Sequence, residues 1–223
     1  MASGRTPALV AVCLLLLAGP AHASSIAIST RGGLGANDAI DWAQLGPNGV
    51  ISPGGFSTTV TSNLGLSAIV SSPDFFGRLQ QGTTFLGNFA AGDNLFFAFP
   101  GPIEITFASP VRGAGAQFQN GFGVIVVQLS AYDSLNNLLG QFSVTTNSGN
   151  RQDNSAVFLG ILDSTADITR LVIQPSQQTD VNVNTLSVNT QAVPEPTTLL
   201  LLGTGLAAVT ARRRLRPRRV DRT

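Results

Sequence analysis

The middle of this chain, residues 24–191, alternates apolar and polar residues at a period close to two. In the run Ile103-Glu104-Ile105-Thr106-Phe107, every second side chain is apolar. A period of two places the apolar side chains on one face of an extended strand, whereas a helix requires a period of 3.6. Gly, Pro, Asn and Ser interrupt the pattern at short intervals, as turns between strands do. The pattern therefore predicts an all-β domain.

Eight segments carry the strand pattern clearly, and three more carry it weakly. The clear ones are residues 95–99, 103–107, 115–119, 124–132, 138–145, 157–162, 168–174 and 181–188, and the weak ones are 26–29, 57–61 and 66–70. The turn-forming residues 133–137 predict a hairpin between two of these strands. Many short strands separated by turns predict an antiparallel β-sandwich, jelly-roll-like in type. An open solenoid is the alternative, but the sequence has no fixed repeat.

Charge is distributed unevenly along the chain, so the overall net charge of +1 is misleading. Seven of the 13 basic residues lie in the last dozen positions. Residues 24–192 contain five arginines against ten acids, and hence carry a net charge of −5. This balance argues against a nucleic-acid partner, because phosphate binding requires clustered basic residues.

Several reactive residue types are missing between residues 24 and 191. The chain has no Lys, and its single Cys and single His, Cys13 and His22, lie near the N-terminus. The domain therefore forms no disulfide, and Ser-His-Asp, Cys-His, Schiff-base and His-ligated zinc chemistry are excluded. A carboxylate pair could still hydrolyse glycosides. However, Glu104 is the only Glu of the domain and is predicted to face solvent, so we expect no enzyme activity.

Residues 1–23 follow the pattern of a secretory signal peptide. Arg5 precedes an apolar run over residues 8–18, and Gly19-Pro20 then interrupts any helix. Ala21 and Ala23 are the small residues that signal peptidase requires, so we expect cleavage before Ser24. An uncleaved membrane anchor is the alternative, but the apolar run is shorter than the roughly 20 residues of a bilayer span.

The C-terminal residues 192–223 have three parts in a fixed order. Val193-Pro194-Glu195-Pro196 is extended and stiff, because proline disfavours both helix and sheet pairing. Residues 197–211 are apolar and predict a single membrane helix, and an arginine-rich end follows. By the positive-inside rule, those arginines stay in the cytoplasm. A plain single-pass anchor is the alternative interpretation.

This tail resembles the PEP-CTERM sorting signal of Gram-negative bacteria that produce exopolysaccharide. The resemblance implies that an exosortase-like membrane enzyme recognises the tail and cuts near Pro194, Glu195 and Pro196. It also implies transient anchoring in the inner membrane, followed by a place at the cell surface, in the outer membrane or in the extracellular matrix. Residues 41–46, 105–111, 115–118, 131–133, 158–160 and 180–184 resemble a recurrent ectodomain of PEP-CTERM proteins, which again implies a β-sandwich.

Acidic and amide side chains are candidate calcium ligands, since this hard cation prefers oxygen ligands. Asp163 lies beside a loop, and Asp180, Asn182 and Asn184 alternate on one strand face. The alternative is that such residues hydrogen-bond to turn backbone, which is their usual role. No other cofactor is expected.

Aromatic residues suggest a second kind of site. Trp42 and Tyr132 are the large amphipathic rings of the domain, and such rings stack on sugars. The setting of Trp42 is instead typical of a core strand.

Three functions remain open on the sequence. The first is a structural or adhesive surface protein that associates with exopolysaccharide. The second is a calcium-assisted carbohydrate-binding module. The third, a polysaccharide hydrolase, has least support because most catalytic residue types are missing.

Overall fold

The computed structural model describes residues 24–191, which fold into two antiparallel β-sheets. Strands and one 3-10 helix follow each other in this order: β1 (Ser25–Ile28), β2 (Asp38–Ile40), the helix (Trp42–Leu45), β3 (Ile51–Ser52), β4 (Phe56–Thr61), β5 (Ser67–Ser72), β6 (Phe75–Gln80), β7 (Asn94–Phe99), β8 (Ile103–Val111), β9 (Gly113–Gln119), β10 (Val126–Tyr132), β11 (Leu138–Thr145), β12 (Val157–Asp163), β13 (Ile168–Pro175), β14 (Val181–Val183) and β15 (Leu186–Asn189).

The larger sheet has nine strands and the smaller sheet has six. The larger sheet runs β1-β12-β9-β14-β7-β6-β3, and β15 pairs with both β9 and β2. The smaller sheet runs β11-β10-β13-β8-β5-β4. These numbers exceed the eight strands of a simple jelly roll. The predicted all-β antiparallel sandwich is confirmed.

The inner faces of the two sheets enclose one apolar core. Its fully buried side chains include Ile105 and Leu129 of the smaller sheet and Phe118 and Ile161 of the larger sheet. The two-residue alternation of the sequence produces this arrangement, because each inward side chain is followed by an outward one. Glu104, for example, lies between two core isoleucines and its side chain is 44% exposed, as predicted.

The outer faces of the two sheets differ. The loops 81–93 and 147–156 cover the larger sheet and form a second apolar cluster there, composed of Leu79, Phe85, Phe89, Leu95 and Ala156. Together with Leu34 of the turn after β1, which lies against Gly113, these loops leave all seven residues of β9 buried. The smaller sheet has exposed outward side chains on several strands, among them Thr59, Thr106 and Ser143. One side of the sandwich is therefore closed and the other is open.

Trp42 belongs to the core, but it does not lie on a strand as its sequence setting predicted. It opens the 3-10 helix, which begins there because the Asp41 carboxylate caps it by accepting a hydrogen bond from the Ala43 N–H. The ring is fully buried and packs at 5.4 Å from that of Phe96. Its indole N–H donates to the Asn184 carbonyl oxygen at 2.9 Å, so the polar end of the ring is satisfied.

Most strand predictions are confirmed, and the exceptions have local reasons. The predicted strand 181–188 is two strands, β14 and β15, since the Asn184 side chain accepts a hydrogen bond from the Thr185 N–H and interrupts the pairing. The strand β6 escaped prediction because Arg78 occupies an inward position. Its guanidinium donates to the Asn94 side chain at 2.6 Å and 3.0 Å and to the Gly46 carbonyl at 3.0 Å. The strands β2 and β3 are too short to show a period.

The predicted signal helix within residues 1–23 and the predicted membrane helix at 197–211 lie outside the described residues. Within residues 24–191, no helix is long and apolar enough to cross a membrane.

Replacing Trp42 by Phe should destabilise the domain by about 2 kcal/mol, because the change removes a buried hydrogen bond and leaves unfilled volume. Urea unfolding followed by circular dichroism measures the effect. Leu135→Ala is the control, since Leu135 is 80% exposed, and it should change stability by less than about 0.5 kcal/mol. Equal stability of Trp42→Phe and wild type would contradict the structural role of the indole N–H.

Candidate functional site

Asp163, one of the predicted calcium ligands, is buried at the end of β12. Its Oδ2 atom accepts a hydrogen bond from the Ser25 hydroxyl at 2.5 Å. Its Oδ1 atom accepts from the Thr165 N–H at 2.8 Å and from the Thr165 hydroxyl at 2.7 Å. Asp163 therefore joins β1 to the turn that follows β12.

Asp180 and Asn182, the other predicted ligands, are brought together beside β14. The Asp180 Oδ2 atom accepts from the Gly121 N–H at 2.8 Å and from Asn182 Nδ2 at 3.0 Å. Its Oδ1 atom accepts from Asn120 Nδ2 at 2.5 Å. Asn182 is fully buried, and its Oδ1 atom has no hydrogen-bond partner within residues 24–191. Asp180 thus ties the loop after β9 to β14.

The three predicted calcium ligands do not form one cluster. Leu162, next to Asp163, pairs with Gly113 at the start of β9, whereas Asn182 pairs with Gln119 at its end. The described part of the chain contains no group of three or more His, Cys, Asp or Glu side chains placed to hold a metal. Calcium binding at either end of β9 stays a prediction.

Asp133 shows the turn-forming role of acidic residues in this domain. It opens the five-residue connection between β10 and β11, where the sequence predicted a hairpin. Its carboxylate accepts from the Leu135 N–H at 2.9 Å, from the Asn137 N–H at 2.8 Å and from Asn137 Nδ2 at 2.8 Å. The hydrogen bond from the Asn137 side chain is the main reason why the pKa of Asp133 is lowered.

A buried polar layer fixes the covering loops to the larger sheet. Gln117 Nε2 donates to the carbonyl oxygens of Asn154 and Ala156, both at 3.0 Å. Asn184 Nδ2 donates to Gln117 Oε1 at 2.9 Å and to Asp93 Oδ2 at 2.7 Å. Burial raises the pKa of Asp93, although its hydrogen bonds act in the opposite direction. Since these amides are satisfied by the loops, they are not available to a ligand.

The outward residues of the smaller sheet form what we call the open face. Strand register places the following side chains on it: Ser57, Thr59 and Thr61 (β4); Ser67, Ile69 and Ser71 (β5); Glu104 and Thr106 (β8); Gln128, Ser130 and Tyr132 (β10); Gln141 and Ser143 (β11); Arg170, Val172 and Gln174 (β13). Hydroxyl and amide groups dominate it. Five strand spacings of about 4.8 Å make it roughly 24 Å wide.

The two charges of the open face neutralise each other near its centre. Arg170 Nη1 lies 3.8 Å from Glu104 Oε1, and the Arg170 guanidinium lies 4.0 Å from the centroid of the Tyr132 ring. Arg170 also donates to the Asn136 side-chain oxygen. These contacts fix the orientation of the half-buried Tyr132 ring. The face therefore presents little net charge to a ligand.

A groove of about 430 Å³ opens at one corner of the open face. Ser57, Ser71 and Glu104 line it with polar groups, and Phe56 and Pro102 line it with apolar surface. Hydroxyl and carboxylate groups beside an apolar wall are suited to a ligand that has both hydroxyl groups and C–H surfaces.

The two aromatic candidates have different roles. Trp42 is 0% exposed, which confirms the core interpretation and leaves no ring surface for a ligand. Tyr132 is on the open face. Glu104 was predicted to face solvent, as it does. Most other residues of this face are outward Ser, Thr and Gln side chains, and none of them stands out individually in the sequence. The one available signal was their repetition at outward positions of several strands.

The pKa shift of Asp93 predicts a pH-dependent stability difference. The folded protein keeps the Asp93 proton up to a higher pH than the unfolded chain does, so the free energy of unfolding falls as pH rises through the interval above the ordinary value of 3.8. Asp93→Asn keeps an oxygen to accept from Asn184 but cannot ionise. We therefore expect the variant to gain stability relative to wild type between about pH 4 and about pH 7. Urea unfolding at several pH values tests this, and a pH-independent difference would contradict it.

Two solved structures are similar to this domain at a distant level. One is a DUF4465 family protein from Bacteroides caccae, with a TM-score of 0.41 and 12% identity, covering 69% of this chain and 100% of that chain. The other is CsCBM6-3 from Clostridium stercorarium in complex with cellobiose, with a TM-score of 0.25 and 15% identity, covering 64% of this chain and 94% of that chain. At these scores neither supports an inference about a ligand. No curated protein matches the sequence at a significant level.

The C-terminal tail has a definite match. The family model of the PEP-CTERM protein-sorting motif matches residues 192–214, which include Val193, Pro194, Glu195 and Pro196. The motif marks proteins that Gram-negative bacteria export, anchor transiently in the membrane and sort by an exosortase. Residues 192–214 are therefore a PEP-CTERM protein-sorting motif, and the chain is an exported, exosortase-sorted protein with a β-sandwich ectodomain.

Proposed function

We propose that the ectodomain is a non-catalytic structural or adhesive component of the cell surface or extracellular matrix, which associates with exopolysaccharide through the open face. The observation that carries the proposal is the open face itself. It is a broad, uncovered sheet surface of neutral hydroxyl and amide groups, whose two charges, Glu104 and Arg170, lie 3.8 Å apart. The sorting motif at 192–214 supports the proposal, because it marks an exported protein.

The chemistry of the open face suits a neutral polysaccharide. Ser, Thr and Gln side chains donate and accept hydrogen bonds, as sugar hydroxyls do. Ile69 is 50% exposed, and Tyr132 and Val172 are half-buried, so apolar patches lie among the polar groups. Such patches accommodate the C–H surfaces of a pyranose ring, while bridging waters complete the polar contacts.

The test measures binding of the exported protein to exopolysaccharide purified from the producing bacterium. Thr106 is exposed near the middle of the face and Ser143 is exposed on its edge strand, so Thr106→Arg and Ser143→Arg place a bulky side chain on the face. Ser148→Arg, in the loop that covers the larger sheet, adds the same group elsewhere. We expect Thr106→Arg to weaken binding about tenfold, Ser143→Arg to weaken it less, and Ser148→Arg to have no effect.

Controls separate the alternatives. Trp42 fluorescence and thermal unfolding verify that each variant is folded. Loss of wild-type binding on chelation, with restoration by calcium, would favour a calcium-assisted carbohydrate-binding module and direct attention to Asp180 and Asn182. Release of reducing ends from the polysaccharide would identify a hydrolase instead. Absence of binding, or equal weakening by all three arginine variants, would overturn the proposed role of the open face.

A further inference from the structure

Two grooves flank Arg31: one lies on the outer side of the larger sheet, and the other lies where β2 and β15 meet the β4–β5 turn. The first has a volume of about 400 Å³ and is lined by Ser29, Thr30, Asn154 and Phe158, among others. The second has a volume of about 270 Å³. Arg31 lines both grooves. An extended ligand that occupies the two grooves would pass this guanidinium.

The Arg31 side chain is exposed in the turn after β1. Within residues 24–191, the one ion pair is that of Arg170 with Glu104, so Arg31 forms none. By contrast, the guanidinium of Arg78 is held by the Asn94 side chain and the Gly46 carbonyl. Arg31 therefore keeps its donors for a ligand.

The second groove contains a buried hydroxyl group without a partner. Ser187 is 1% exposed, lines this groove, and its Oγ atom has no hydrogen-bond partner in the described part of the chain. A buried hydroxyl is costly to leave unpaired, and a ligand oxygen would satisfy it. Asn63 lines the same groove and adds a carboxamide. Both grooves thus offer hydrogen-bonding groups on either side of Arg31.

Acidic residues near the grooves oppose the binding of an anionic ligand. Asp38 lines the second groove, but its carboxylate is engaged by the Ser62 hydroxyl and the N–H groups of Ala39 and Leu64. Asp93 lies close enough to Arg31 for the two charges to interact. Since residues 24–192 carry a net charge of −5, general attraction does not bring an anion to this domain. Specific contact with Arg31 is required.

We propose that Arg31 binds the carboxylate of an acidic polysaccharide, such as a polyuronate, whose chain lies along the two grooves. The planar guanidinium matches a carboxylate with two parallel hydrogen bonds. Sugar hydroxyls then contact Ser29, Thr30 and Asn154 on one side of Arg31, and Asn63 and Ser187 on the other. This site is separate from the open face and takes a different class of ligand, so it does not rest on the function proposed above.

The experiment titrates the exported protein with a defined oligomer of polygalacturonate and uses three charge variants. Arg31→Gln should weaken binding about tenfold, which corresponds to the loss of a charge-assisted contact. Arg151→Gln removes the same charge at an exposed position outside the grooves and should leave affinity unchanged. Asp93→Asn removes the opposing charge near Arg31 and should strengthen binding.

The remaining outcomes are equally decisive. No binding by wild type, or equal weakening by Arg31→Gln and Arg151→Gln, would overturn the proposal, because binding would then be absent or nonspecific. Arg31 is exposed, so its substitution should not unfold the domain, and matching thermal unfolding verifies this. Thr106→Arg should leave polygalacturonate binding intact, which separates a failure of this site from a failure of the open face.

Discussion

The arrangement of the whole domain depends on burying β9 from both sides. Its inward residues Ala114, Ala116 and Phe118 pack in the core between the sheets. On the outward side, Gln117 and Gln119 donate hydrogen bonds to carbonyl groups of the loop 147–156, and Gly113 lies against Leu34. Close packing requires glycine here, since a Cβ atom on Gly115 would approach the Gly160 Cα atom to 2.4 Å. The strand pairs with β12, β14 and β15, so it connects much of the larger sheet. The domain has no disulfide to replace this packing.

This burial explains why the two sides of the sandwich present different surfaces. The loops that bury β9 are fixed by satisfied amides such as Gln117 and Asn184, and they leave only grooves at the margin of the larger sheet. The smaller sheet needs no such cover, because most of its outward residues are polar, as antiparallel sheets allow. A broad neutral surface and a narrow groove with an arginine therefore lie on opposite sides of one small domain.

The strands that the sequence predicted share a common property. On β8, β10, β11 and β13, outward positions are mostly polar and inward positions apolar, so the period of two is visible. The strand β6 lacks this period because Arg78 places a charged side chain at an inward position. There the Asn94 side chain of β7 and the Gly46 carbonyl accept its hydrogen bonds. Trp42 was predicted to be in the core, but its 3-10 helix depends on capping by Asp41. Local hydrogen bonds of this kind leave no periodic signal.

The sites were less predictable than the fold. Residues on the open face come from strands far apart in sequence, and only register shows that Tyr132 lies beside Arg170. The same limit applies to Asp163 and Asp180, which are similar in sequence setting but lie at opposite ends of β9. The tail is the contrary case, because its motif is contiguous in the sequence. It can be recognised without knowledge of the fold from Pro194, Glu195 and Pro196, followed by the apolar run and the arginines.

The central claim is that polysaccharide contacts the smaller sheet through its outward surface. Backbone amide chemical shifts of the isotopically labelled exported protein, recorded while exopolysaccharide from the producing bacterium is added, test this claim most directly. We expect shifts concentrated on β8, β10 and β13, with the amides of the buried strand β9 unchanged. Shifts confined to the covering loops, or no shifts at saturating polysaccharide, would contradict it.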